Sequence, residues 1–102
     1  MSADRTWHKV AGAGELTEGT LKSVTVAEKP LVIAHCEGRY GALDDRCPHA
    51  GGPLSQGHIE NGRLVCPWHG REFHPATGEC DGYLSVAAYP VEARDDGIYV
   101  AL

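Results

Sequence analysis

Residues 46–54 read RCPHAGGPL and residues 66–70 read CPWHG, so two short segments each supply one cysteine and one histidine: Cys47 with His49, and Cys66 with His69. In C-x-H the two side chains are too close in sequence to stack on one face of a regular helix, and Pro48, Gly51 and Gly52 argue for an irregular loop. C-x-x-H, with Pro67 and Gly70, is likewise a turn. Sixteen residues separate His49 from Cys66. They contain GGPLSQGHIENG, enough for a loop, a strand start and an ENG turn before RLVCP returns, so the two motifs can face each other.

Working outward, the strand-like runs are short and closely spaced: TWHKV near the start, TLKSVTV at 20–26, PLVIAH at 30–35, RLVC at 63–66, REF at 71–73 and GIYVAL at the end. Glu37-Gly38, Asn61-Gly62, Pro75 through Gly78 and Asp96-Gly97 carry the residues that tight reversals require. No segment sustains helical apolar spacing over three turns, which predicts at most a short helix. The fold class is therefore antiparallel all-β. One domain spans 1–102, with a metal-bearing insert at about 44–82 between two halves of the scaffold, because four of the six histidines and three of the four cysteines gather there.

Composition narrows the functions. The 42% hydrophobic and 23% charged residues fit a globule. A net charge of −5 excludes a phosphate backbone as partner, which needs a basic surface, and favours docking on a basic patch of another protein. No apolar window is long enough to span a membrane, and MSADRTWHKV has no signal-peptide pattern, so a cytoplasmic location is expected. In a reducing compartment cysteines at ligand spacing beside histidines point to metal and not to disulfides. Glycines 51, 52 and 70 would let backbone N–H groups approach a cluster's sulfides.

On the whole constellation, C-P-H-A-G-G-P-L followed by C-P-W-H-G, the chain resembles the Rieske iron-sulfur family. The runs before Cys47, the stretch Tyr89 to Val91 and the closing DGIYV are similar to small Rieske ferredoxins. The resemblance implies a Rieske-like antiparallel β sandwich or barrel, with a small subdomain of two loops holding one 2Fe-2S cluster. Carried over, Cys47 and Cys66 bind one iron and His49 and His69 the other. It also implies a soluble one-electron carrier that is not itself a catalyst, taking electrons from a reductase and passing them to an oxygenase. Two alternatives stay open: a small Rieske-like subunit of a nitrite reductase, and a zinc-stabilised interaction module, since two cysteines and two histidines are equally a zinc set.

The sequence departs from high-potential respiratory members of the family. Gly52 and Trp68 stand where those carry a disulfide, and Arg71 and Phe73 where they carry serine and tyrosine donors to sulfur. Without these donors the potential is expected at the low end of the Rieske range of about −150 to +300 mV. ECDGYLSVAAYP lacks the proline of the family's third covering loop, leaving Tyr83 or Leu84 to cover the site. Cys36 and Cys80 are expected as buried thiols, with a disulfide between them the alternative, and His8, His35, His58 and His74 as strand or loop residues. Trp68 is expected to pack the loop or, with Pro53 and Leu54, to form an apolar collar. Trp7 is expected in the core.

Overall fold

The computed structural model describes residues 6–46, 53–67, 72–75, 77–80 and 84–102. The strands are β1 (Trp7–Gly12), β2 (Thr20–Val26), β3 (Lys29–Cys36), β4 (Arg39–Asp44), β5 (His58–Glu60), β6 (Arg63–Val65), β7 (Glu72–Phe73), β8 (Glu79–Cys80), β9 (Leu84–Ser85), β10 (Ala88–Tyr89), β11 (Val91–Arg94) and β12 (Gly97–Ala101). They form antiparallel sheets in the orders β1-β12-β11, β10-β4-β3-β2 and β5-β6-β7, with β8-β9 as a two-stranded ribbon. The only helical element among the described residues is a 3-10 turn at Leu54–Gln56.

The run PLVIA does not alternate polar with apolar because both faces of β3 are covered. Leu31 and Ile33 enter a core with Ala11, Val26, Ala42, Ile98 and Val100, beneath the β1-β12-β11 sheet. Val32 and Ala34 point the other way, into a second core with Leu43, Leu54, Leu64, Cys66, Phe73 and Cys80. Successive side chains of a strand leave on opposite faces, so a strand buried twice reads as one continuous hydrophobic run. The four-stranded sheet is thus a shared wall, and its second face carries the small sheet that delivers Cys66.

Two-residue hairpins set the registers. Glu37 and Gly38 (φ 54° and 78°) join β3 to β4, and Asn61 and Gly62 (φ 53° and 76°) join β5 to β6, both in the left-handed region that matches strand twist. The turn between β2 and β3 uses Ala27 and Glu28 at φ 51° and 70°, with neither glycine nor asparagine to mark it.

Trp7 corrects the sequence reading: it is 39% exposed. Along β1, Trp7 and Lys9 face outward while Ala11 is buried. The Arg94 guanidinium lies 5.3 Å from the Trp7 ring and 4.2 Å from the Tyr99 ring, so a cation covers the indole on an outer sheet face. Cys36 and Cys80 are buried as expected, at 7% and 1% exposure. Cys36 carries a free thiol, which removes the disulfide alternative.

Candidate metal centre

Cys66 is the predicted ligand that falls among the described residues. It follows β6 directly, after Val65, and only 1% of it is exposed. The hairpin turn at Asn61-Gly62 fixes the register of β6, and Leu64 pairs with Phe73 of β7, both fully buried. The thiol therefore leaves a rigid strand and enters the second core.

The first loop is rooted at both ends. At its entry, the Asp44 N–H donates to the Ala87 carbonyl at 3.0 Å, the Asp45 N–H to the Pro30 carbonyl at 3.1 Å, and the Tyr89 hydroxyl to Asp44 Oδ1 at 2.7 Å. Burial, then donation to Asp44, hold the Tyr89 phenol above its ordinary range, so it remains a donor. At its exit, Leu54 is fully buried, and the Gln56 and Gly57 N–H groups close the 3-10 turn onto the Pro53 and Leu54 carbonyls at 3.1 and 3.0 Å. Between the roots, Asp45 Oδ1 accepts the Ser55 N–H at 2.7 Å and Oδ2 accepts the Ser55 hydroxyl at 2.6 Å.

One glycine joins the two loops. A Cβ at Gly57 would overlap the carbonyl oxygen of Val65, the residue before Cys66, so only glycine lets the first loop's exit lie against the strand feeding the second. Sequence reasoning singled out neither Gly57 nor the Asp45 and Ser55 pair. A small residue closing a helical turn was the signal for the former; nothing short-range marks the latter.

Cys47, His49, His69, Gly51, Gly52, Trp68, Gly70, Arg71 and Tyr83 lie outside the described residues, as does the Leu84 side chain. No set of three metal-binding side chains occurs among the described residues, which hold one of the four predicted ligands. Leu54, which one reading placed with Pro53 and Trp68 in an apolar collar, is a fully buried core residue. His74 is a loop histidine whose Nδ1 accepts the Thr77 N–H at 3.3 Å. A cavity of about 260 Å³ beside Cys36, Arg39 and His74 contains none of the predicted ligands. Burial pushes the Cys36 thiol pKa up, with Glu37 and Glu18 adding to the effect, so this cysteine is held neutral.

Cys66 fits an iron-sulfur group: a buried thiol at the end of a strand is a soft, water-excluded ligand of the kind such a cluster takes.

Comparison with known proteins agrees. A family model described as Rieske [2Fe-2S] domain matches residues 6–91. Ferredoxin CarAc of Metapseudomonas resinovorans is 32% identical over 101 residues, covering 93% of this chain and 92% of the relative. Human apoptosis-inducing factor 3 is 32% identical over 89 residues, of which this chain spans 15% of the length. A solved complex of reduced oxygenase and oxidized ferredoxin in carbazole 1,9a-dioxygenase contains a chain with TM-score 0.84 and 28% identity, covering 96% of this chain and 94% of that one. Among the described residues, no helix is long and apolar enough to cross a membrane.

Proposed function

Since this chain belongs to the Rieske 2Fe-2S domain family, and so takes a Rieske-type cluster with cysteine and histidine ligands, we propose that it is a one-electron carrier between a reductase and a terminal oxygenase, and not itself a catalyst. The family's cofactor sets aside the zinc alternative. The single observation that carries the reading is the reciprocal coverage with ferredoxin CarAc, 93% of this chain and 92% of that protein. The oxygenase partner is supported by the solved complex, which pairs a ferredoxin of this fold with an oxygenase.

In this proposal Cys47 and Cys66 hold one iron, and His49 and His69 the other. When bound, the cluster supplies reversible uptake of one electron. The chain's own part is to keep the sulfur side dry and the ligands fixed. Cys66 does this from the buried core, with Leu64 and Phe73 excluding water around it. The chain is one domain over 1–102, its 44–82 segment carrying the site, and the shared β3 wall supports treating both halves as one folding unit.

A reductive titration of anaerobically purified protein, followed by visible and EPR spectra, tests this reading. The expected result is a one-electron centre near the low end of about −150 to +300 mV. Cys47→Ser and His69→Ala should each abolish the mixed-ligand signature. A protein that takes up no electron, or that fails to reduce any oxygenase component, would overturn the carrier role.

A further inference from the structure

We propose that Asp45 and Ser55 are positioning residues: a clasp that closes the loop bearing Cys47 and His49 and presets both ligands for the cluster. The inference rests on the ligand assignment above. Asp45 stands two residues before Cys47, and Ser55 follows the buried Leu54 at the loop's far end. Both carboxylate oxygens of Asp45 are used, at 2.7 Å on the Ser55 N–H and 2.6 Å on its hydroxyl. Ser55 thus turns two donors onto one acceptor-only group, a charge-assisted pairing stronger than a neutral one.

The anchors are themselves fixed. The Asp45 N–H is tied to the Pro30 carbonyl at 3.1 Å, and Leu54 is wholly buried. A glycine-containing loop open at its neck would lose its conformational freedom only when metal arrives. With the neck clasped, part of that ordering is complete before the ligands engage, and a dissociated ligand stays close enough to rebind.

A blander role exists for the same bonds: the carboxylate would simply satisfy the Ser55 N–H within the Leu54–Gln56 turn. Capping alone would change the stability of the scaffold, whereas a clasp changes how tightly the loop keeps its cluster. The two roles separate in holoprotein carrying Asp45→Ala, Asp45→Asn, Ser55→Ala or the Asp45/Ser55 double alanine change. Cluster loss to an iron chelator is followed by visible absorbance, and scaffold opening by amide hydrogen exchange in β2, β3 and β4.

The clasp predicts that Asp45→Ala loses cluster about tenfold faster or more, the order expected for a charge-assisted hydrogen bond. Ser55→Ala, which keeps the backbone bond, should show a smaller effect and guards against a failure of Asp45→Ala to fold. The double variant should be no faster than Asp45→Ala, because both act through one contact. Exchange in the three strands should be unchanged. Cluster loss within twofold of wild type in Asp45→Ala, additive effects, or a matching rise in strand exchange would each overturn the clasp. Retention of a normal cluster by Cys47→Ser would overturn the ligand assignment instead, so the two failures are distinguishable.

Discussion

Phe73 is fully buried on β7, opposite Leu64, and shares its core with Cys66. A hydroxyl introduced there meets an apolar core whose acceptors include the Cys66 and Cys80 sulfurs. Phe73→Tyr is therefore expected to raise the reduction potential, because a hydrogen bond to sulfur withdraws electron density and favours the reduced cluster. Voltammetry of the variant checks this. An unchanged potential with stability lower by about 1–3 kcal/mol would mean the hydroxyl found no partner and was buried at a cost. The same residue shows what was legible at this scale: its position after CPWHG identified it as the missing donor, while its complete burial depends on packing against Val32, Ala34 and Leu43 of distant strands. Trp7 failed for the complementary reason. Its size suggested core, but the covering Arg94 is 87 residues away.

Among the elements, the hairpins separate what sequence discloses from what it hides. Glu37-Gly38 and Asn61-Gly62 carry residues suited to positive φ and were legible as turns. Ala27 and Glu28 adopt the same geometry without that chemistry, because the seven-residue register between β2 and β3 and the burial of Leu31 and Ile33 over-determine the bend. Each non-glycine residue in the left-handed region costs about 1–2 kcal/mol by the steric argument. Glu28→Gly should accordingly stabilise the holoprotein by about 1 kcal/mol, read from its urea midpoint. A lower midpoint would show that the Glu28 side chain makes a compensating contact.

A second hairpin device is electrostatic. Glu18 accepts the Gly38 N–H at 2.9 Å and the Glu37 N–H at 2.5 Å, and these two bonds hold its carboxyl below the ordinary value. With the folded value depressed, the stabilisation is present above the unfolded carboxyl's pKa and is lost as pH falls through the lower folded value. Glu18→Gln should therefore weaken the acid dependence of stability below about pH 4.5, while its effect at neutral pH stays small because the group is exposed. Urea melts of both proteins at stepped pH measure it, and parallel acid profiles would dismiss the contribution of Glu18.

At the scale of the whole molecule, the continuous PLVIA run made β3 visible as a strand, yet its burial on two faces became clear only once the sheets were assembled. That double burial makes the shared wall: one core supports the outer sheet, the other seats Cys66. The motif spacing marked two candidate ligand segments, and Cys66 of the second lies among the described residues. The bonds at the loop necks, Asp45 to Ser55 and Tyr89 to Asp44, join residues without local periodicity and needed the assembled fold.

Net charge also acts at this scale. With −5 overall, long-range attraction should speed encounter with a basic docking face on the proposed reductase or oxygenase partner. Raising ionic strength from about 0.01 M to 1 M shortens the screening length from about 30 Å to 3 Å, which removes steering between separated surfaces. The second-order rate of electron transfer to an oxygenase component should then fall at least about tenfold across that range, since steered association exceeds neutral association by more than this. Stopped-flow reduction at stepped salt gives the slope directly. A rate that is flat or rises with salt would mean that docking depends on apolar contact around the cluster, with the acidic surface serving solubility alone.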